Sequence, residues 1–310
     1  MPLLPKGTKM RTRQATAMLG LMLYLVLSPC QARATERGVT AYPDGIANFD
    51  AGAFPPPGVY LQYTFLYYNA PRIRANVPAD SHGEVIANIL RLVYSSKVGV
   101  LGGNWGAHLV IPLLYMGSHL APQPISDYQF GVSNIAFSPF ILAWHLGEYH
   151  ITTGMDTLFP ASYNPKRLAS PAQNYFTFQP VLGLGWLPQW GLAAQIKLMY
   201  DFPTINYDPL VSTGARDYYK SGQAFHFDYC LDYAVTKNLR LGVAGFYYVQ
   251  TTADVKDGHK IGNHGRQFAL GPALKYDYQR WSFMFIPQFE MATLNRAEGQ
   301  RYWVRVWYAF

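Results

Sequence analysis

Three side chains that could take part in chemistry lie on one short run, AFHFDYCLDY, which covers residues 224–233. His226, Asp228 and Asp232 share one parity, so on a strand they point to one face, with next neighbours about 7 Å apart. Imidazole and carboxylate groups can bind a metal ion, but a site needs three or four converging ligands. The sequence supplies only two adjacent ones, and we expect neither a metal nor a cofactor.

The same histidine raises the alternative of a hydrolase. Such a site needs a serine, a histidine and an orienting acid or amide that converge. By parity His226 shares its face with Asp228 and Asp232, and Ser133 and His150 lie near predicted strand ends without companions. Residues 35–310 contain no GxSxG, P-loop or HExxH motif. We expect no enzyme.

The first 34 residues have the pattern of a cleaved secretory signal peptide. Four basic residues between Lys6 and Arg13 precede the apolar run 18–27, a Ser-Pro pair and the small-residue site Ala32-Arg33-Ala34. The apolar run is too short for a transmembrane helix. Export with cleavage after Ala34 is therefore expected.

Composition after this segment argues against a nucleic-acid partner. Residues 1–34 hold five of the 25 basic residues and none of the 18 acidic ones, so residues 35–310 carry a net charge of only +2. Cys230 is the only cysteine in this range, so no disulfide can form within it. Half of the whole chain is hydrophobic and 14% is charged, against about 25% charged in soluble domains.

Period-two alternation recurs along residues 57–310 and predicts an all-β fold. Twelve runs show it, near residues 57–69, 84–96, 105–116, 131–146, 149–159, 174–187, 190–202, 222–235, 239–254, 265–278, 281–291 and 300–310. The connections alternate between six long ones, among them 69–82, 117–130 and 292–299, and short ones such as Gly147-Glu148. Tight turns at one rim and long loops at the other predict an even-stranded antiparallel barrel.

The two faces of the predicted strands place this barrel in a membrane. In the run 300–310, Tyr302, Val304 and Val306 share one face with other apolar residues, whereas the opposite face carries Arg301 and Arg305. Such wide aromatic faces do not fit the interior of a twelve-stranded barrel, so we assign them to lipid and the charges to a wet lumen. Tyrosines and tryptophans near strand ends, Tyr175 among them, would form the interfacial girdles.

The inward parity then gives the candidate lumen residues. The polar candidates are Arg91, His108, Gln179, Lys197, Asp201, His226, Asp228, Asp232, Arg240, Gln250, Lys275, Asp277, Glu290, Arg301 and Arg305. The aromatic candidates are Phe246, Tyr248, Trp303 and Trp307. The charges could orient a solute or only pair with one another across strands. The aromatic side chains could likewise contact a flat solute or only fill the barrel.

Two terminal features complete the prediction. The last strand should pair with the first to close the barrel, because an open sheet edge is not tolerated in lipid. Phe310 resembles the terminal signal that the assembly machinery of outer-membrane proteins reads. Residues 35–56 alternate poorly and would be either a periplasmic lead-in or a segment inside the lumen.

Several stretches together resemble a known family. They include FPPPGVYLQY (54–63), FILAWHLGEYHI (140–151), NYFTFQPVLGLGW (174–186), YKSGQAFHFDY (219–229), NLRLGVAGFYYVQTTAD (238–254), LGPALKYD (270–277) and NRAEGQRYWVR (295–305). They are similar to the SphA-like outer-membrane family linked to the meta-pathway of phenol degradation. The resemblance implies a twelve-stranded barrel that passes aromatic or other hydrophobic compounds, and it implies no catalytic residues.

The expected protein is a transmembrane antiparallel β-barrel (57–310) in the outer membrane of a Gram-negative bacterium. Its expected partners are outer-membrane lipid, the assembly machinery and small hydrophobic or aromatic molecules. Its expected function is the passive uptake of such molecules. The alternatives are a structural or surface-interaction barrel with a blocked lumen and, least favoured, a lipid-acting barrel enzyme.

Overall fold

The computed structural model describes residues 36–75, 80–120, 125–209, 217–262 and 264–310. The predicted signal peptide lies outside these residues. The strands, in chain order, are β1 (Gly58–Ile73), β2 (His82–Val100), β3 (Gly103–Leu120), β4 (Ile125–Val132), β5 (Ile135–Leu146), β6 (Tyr149–Phe159), β7 (Thr177–Trp186), β8 (Leu192–Pro203), β9 (Tyr219–Lys220), β10 (Ala224–Ala234), β11 (Leu239–Gln250), β12 (Val255–Lys256), β13 (His259–Lys260), β14 (Arg266–Tyr278), β15 (Trp281–Leu294) and β16 (Ala297–Ala309). Two short 3-10 turns, Glu36–Gly38 and Asn48–Asp50, precede β1.

Thirteen of these strands form one closed antiparallel sheet. The last strand pairs with the first from Tyr60↔Ala309 to Ile73↔Ala297, and β2 pairs with β3 to complete the ring. β4 pairs with one part of β3 and β5 with the other, so these two strands occupy a single position in the wall. The wall therefore has twelve positions, and the prediction of a twelve-stranded closed barrel is confirmed.

Some predicted loops are in fact strand. β1 continues to Ile73 in the predicted loop 69–82, and β3 and β4 cover most of the predicted loop 117–130. There the ladder between β3 and β4 runs from Leu113↔Val132 to Leu120↔Ile125. The predicted long connection 292–299 is a tight turn between β15 and β16, where Asn295 adopts φ +55°, a conformation that asparagine tolerates better than most residues.

The two faces of the wall are apolar outside and polar inside. Leu92 on β2 and Phe285 on β15 are 48% and 46% exposed on the outer surface. Inside, His226, Asp228 and Gln288 are fully buried. This is the reverse of a soluble barrel and fits lipid outside. No helix in the described ranges is long and apolar enough to span a membrane.

The wall has one rim of short turns and one rim of longer connections, which also carries the tight turn between β15 and β16. At the long-loop rim, β9, β12 and β13 form a separate three-stranded sheet. Tyr175, expected in an interfacial girdle, is buried at this rim beneath Ser221, whose hydroxyl donates to the tyrosine oxygen at 3.2 Å. That girdle expectation was wrong for Tyr175, because parity does not hold in the loop that precedes β7.

Candidate functional site

Residues 36–57, called here the inner segment, run through the barrel from the long-loop rim to the start of β1. Glu36 lies at the long-loop rim, where Asn206 Nδ2 donates to its carboxylate at 3.0 Å. At the other end, Tyr60 on β1 donates to the carbonyl of Pro56 at 2.8 Å. Phe49, between these points, is buried against Trp303 and other inward-facing side chains.

Asp228 on β10 is the main anchor of the inner segment. Its carboxylate accepts hydrogen bonds from the backbone N–H groups of Gly45 (2.7 Å) and Ala47 (2.8 Å) and from the hydroxyl of Tyr42 (2.9 Å). Gly45 has φ +84°, and a Cβ there would lie 2.3 Å from Gln288 Oε1. Only glycine therefore fits this backbone path without strain.

Asp44 forms the second anchor. Its carboxylate lies 2.8 Å from Arg296 Nη2 and 3.0 Å from His226 Nδ1, and its backbone carbonyl accepts from Arg301 at 2.6 Å. Burial alone would raise the pKa of Asp44, but Arg296, His226 and Arg301 outweigh it and hold the pKa well below its ordinary value. His226 also lies 3.2 Å from Asp201, so this imidazole sits between two carboxylates.

Two further contacts hold the part of the segment nearer to β1. Arg305 Nη1 lies 2.7 Å from Asp50 Oδ2. Gln288 on β15 donates to the carbonyl of Gly45 at 3.1 Å, and it accepts from Trp303 Nε1 at 3.1 Å. The segment is thus tethered mainly to the half of the wall formed by β10, β11 and β14–β16, with a further contact on β8, where Gln195 Nε2 donates to the carbonyl of Phe49 at 2.7 Å.

The predicted lumen residues form two groups. One group contacts the inner segment or its own members, and the other borders an open cavity. Those on β10–β16 mostly contact the inner segment or one another. Examples are the guanidinium of Arg301 over the ring of Phe246 (4.7 Å) and the ion pair of Arg301 with Glu290 (2.7 Å). Arg240 pairs with Asp232, and Lys275 pairs with Asp277 at 3.4 Å.

The remaining predicted residues of this group are also in contact with protein. Tyr248 stacks under the guanidinium of Arg296 at 3.9 Å. Gln250 donates to Asp254 at 2.6 Å. Outside this group, on β7 and β8, Gln179 donates to Asp201 at 2.7 Å. These side chains therefore hold the barrel interior together on the side that the segment covers.

An open cavity of about 110 Å³ lies between the inner segment and the other half of the wall. Four predicted residues border it, namely Arg91, His108, Lys197 and Trp307. Much of the surrounding surface is apolar and includes Ile89, Val110, Ile141, Leu158 and Val181 from the wall and Ile46 and Phe54 from the segment. Its volume is sufficient for several water molecules or one small organic molecule.

Four polar residues of the cavity, Arg91, His108, Asp156 and Lys197, form one cluster. Arg91 Nη2 lies 2.9 Å from His108 Nδ1, and His108 Nε2 lies 3.0 Å from Asp156 Oδ1. Lys197 Nζ lies 3.5 Å from the other oxygen of Asp156. A guanidinium can only donate, so His108 Nδ1 accepts and a neutral ring carries its proton on Nε2, the nitrogen nearer to Asp156. The histidine is then neutral, and the cluster has two cations and one carboxylate.

Several interior residues were missed by sequence reasoning. Asp156 is the only Asp, Glu, Lys or Arg on β6, and it has the inward parity. The alternation of the sequence could therefore have identified it. Asp44 and Asp50 lie in a segment without periodicity, and nothing local indicates that they meet Arg296 and Arg305. Ser133 and His150, considered for catalysis, are not brought together, because Ser133 precedes β5 whereas His150 on β6 pairs with His145 near the other end of β5.

A closed wall with apolar side chains outside and charged groups inside defines an outer-membrane β-barrel of the porin-like class, located in the outer membrane of a Gram-negative bacterium. The family model described as "Putative MetA-pathway of phenol degradation" matches residues 69–306. This match covers well over half of the sequence, and the chain belongs to that family.

Solved structures support the same fold. The chain is similar to the COG4313 outer membrane channel from Pseudomonas putida F1, with 13% identity, a TM-score of 0.74, and coverage of 84% of this chain and 98% of that one. It is also similar to the translocator domain of the autotransporter NalP from Neisseria meningitidis, with 11% identity, a TM-score of 0.51, and coverage of 86% and 93%. No curated protein matches the sequence.

Proposed function

We propose that the protein is a passive channel for the uptake of small hydrophobic or aromatic compounds that serve as degradation substrates. The observation that carries this proposal is the cavity beside the inner segment. It combines a largely apolar wall with a few clustered polar groups, the usual composition of a site for a small organic molecule. A general porin would instead need a wide aqueous lumen.

The comparisons with known proteins support the same proposal. The description of the family refers to phenol degradation, and the similar barrel from Pseudomonas putida F1 is described as a channel. Neither description states what this chain carries. The apolar lining supplies the argument for the solute class, because Trp307 and Phe54 offer ring surfaces to a flat solute.

The inner segment favours a second candidate, a barrel whose lumen is blocked and whose loops bind a partner. Its anchors at Asp228 and at Asp44 involve buried polar groups, which are costly to separate. A solute flux measurement distinguishes the two candidates.

The test is influx into proteoliposomes that contain lipopolysaccharide and the refolded protein, with protein-free vesicles as background. Benzoate, benzyl alcohol and sucrose are the probes. We expect both aromatic compounds to enter faster than background and sucrose to be excluded. Equal entry of all three would indicate a general porin, and no entry above background would favour the blocked barrel.

Two variants, with tryptophan in the cavity or on the outer surface, test whether the solute passes through the cavity. Val181→Trp places an indole in the cavity and should reduce aromatic influx severalfold. Val243→Trp adds the same side chain on the lipid-facing surface, where Val243 is 40% exposed, and should leave influx unchanged. Equal influx through both variants would show that the solute does not pass this cavity.

A further inference from the structure

Most arginines in the barrel interior form an ion pair with a carboxylate. Arg240 pairs with Asp232, Arg296 with Asp44, Arg301 with Glu290, and Arg305 with Asp50. Arg91 differs, because in the described part of the chain no ion pair joins it to a carboxylate. Asp156, the nearest acid in its cluster, is already shared by His108 and Lys197.

The neutral partners of Arg91 are also few. Its Nη2 donates to His108, and its Nη1 lies 3.4 Å from the Gln62 side chain. The carboxamide oxygen of Gln62 is better satisfied when it faces Trp307 Nε1 (3.2 Å) and Arg305 Nε (2.6 Å), and the amide NH₂ then turns toward Arg91. The Nε of Arg91 is buried without a hydrogen-bond acceptor. Arg91 thus borders the cavity, and its guanidinium retains a donor without a protein acceptor.

The cluster has a net charge of +1, since Arg91 and Lys197 are positive, Asp156 is negative and His108 is neutral. A cation enclosed by apolar surface is costly unless an anion accompanies it. Asp50, the other carboxylate of the cavity lining, is committed to Arg305. A bound solute with one negative charge would therefore balance the cluster.

The geometry and the lining of the site indicate which class of anion would bind. A guanidinium matches a carboxylate in a planar, two-point arrangement, and the lysine beyond Asp156 adds a second positive group. The rest of the lining is aliphatic, with Phe54 and Trp307 as ring surfaces. Such surroundings suit a flat apolar body and disfavour a sugar or a dianion.

We infer that Arg91, His108, Asp156 and Lys197 form a carboxylate-binding site, and that the solutes of this channel are small aromatic monocarboxylates. The inference rests on the proposed function and sharpens it from aromatic compounds in general to aromatic acids. His108 holds the guanidinium in place through Nδ1, and Asp156 fixes the imidazole. Binding here must be weak enough for release, as in any conducting site.

Equilibrium dialysis of the refolded full chain in detergent tests the site separately from flux. The probes are benzoate, benzyl alcohol, benzylammonium and acetate. We expect benzoate to bind at least about tenfold more tightly than the other three, which corresponds to about 1.4 kcal/mol. Benzyl alcohol lacks the charge, benzylammonium reverses it, and acetate lacks the ring.

Charge-removal variants with a matched control complete the test. Arg91→Gln and Lys197→Gln should each lower benzoate affinity, by about tenfold for Arg91→Gln, without changing the affinity for benzyl alcohol. Arg280→Gln removes the same charge in the exposed turn between β14 and β15 and should change neither affinity. If Arg91→Gln does not fold, Arg91→Lys replaces it and should give an intermediate loss.

The outcomes separate this inference from the proposed function. Benzoate binding that is equal in wild type and Arg91→Gln, or no tighter than benzyl alcohol or acetate binding, overturns the inference even where aromatic compounds permeate. Charge-dependent benzoate binding without any aromatic influx supports the site and overturns the channel. Binding and influx that both depend on Arg91 support the two together.

Discussion

The carboxylate of Asp228 accepts a 2.7 Å hydrogen bond from the backbone N–H of Gly45, across 183 residues of sequence. One oxygen serves Gly45, and the other serves Ala47 and the hydroxyl of Tyr42. A single wall residue thus satisfies three donors of the inner segment. The position of this segment decides how much of the barrel interior is open to a solute.

Asp228→Asn should loosen the inner segment. An amide has one acceptor oxygen where the carboxylate has two, and it carries no charge, so at least one buried N–H or hydroxyl group loses its acceptor. We expect docking of the segment to weaken by about 2–4 kcal/mol. Faster proteolysis within residues 36–57 of the refolded protein would show this.

The control for this variant is Asp208→Asn, because Asp208 is exposed in the connection that follows β8. It removes the same charge outside the barrel interior and should leave the proteolysis rate unchanged. Equal protection of the segment in Asp228→Asn and wild type would show that the three hydrogen bonds do not hold it.

Gly52→Ala should displace the same segment by steric conflict. A Cβ at Gly52 would lie 2.1 Å from the carbonyl oxygen of Leu184 on β7, which is backbone and cannot move aside cheaply. The cavity between the segment and the wall should change in size, and single-channel conductance in planar bilayers should differ from wild type. Gly83→Ala is the control, since its Cβ would meet only Gly117 O at 3.4 Å. Unchanged conductance in Gly52→Ala would mean that the segment does not limit the pore.

The wall of the barrel was predictable from the sequence because alternation and lipid exposure act on each strand separately. The alternation of side chains along each strand predicted that His226 and Asp228 face inward and that Phe285 faces outward, as the structure shows. The contacts of the inner segment were not predictable in this way. Asp44 meets Arg296 across 252 residues, and only the folded barrel brings the two together. Sequence patterns therefore indicated which side chains face inward and left a position inside the lumen as one of two alternatives for residues 35–56, but they did not indicate which wall residues that segment contacts.

Docking of the inner segment should resist mild acid. A carboxyl group whose pKa is lower in the folded state stabilises that state fully above its unfolded pKa, about 4, and loses this contribution as the pH falls toward its folded pKa. Arg296, His226 and Arg301 hold the pKa of Asp44 well below its ordinary value. Protection of the segment from protease should therefore be constant between about pH 7 and pH 5 and decline only below about pH 4.

Asp44→Asn provides the comparison for this pH dependence. It should lower protection at neutral pH and remove that part of the acid-induced decline that belongs to this carboxyl group. An acid-active protease allows both proteins to be measured over the whole range. A decline in wild type that begins near pH 6 would contradict the assignment to Asp44.

Substitutions of Phe310 distinguish an effect on assembly in the cell from an effect on the stability of the fold. Its backbone N–H donates to the carbonyl of Val59 at 3.0 Å, whereas its ring is 66% exposed and lies against Tyr308. Phe310→Ala keeps the backbone bond, so refolding in detergent and thermal stability should stay within about 1 kcal/mol of wild type. If the ring is read by the assembly machinery, the amount of this variant in the outer membrane should fall severalfold, and Phe310→Tyr should restore most of it. Equal amounts of Phe310→Ala and wild type in the membrane would contradict the assembly role and leave Phe310 with only its backbone hydrogen bond to Val59.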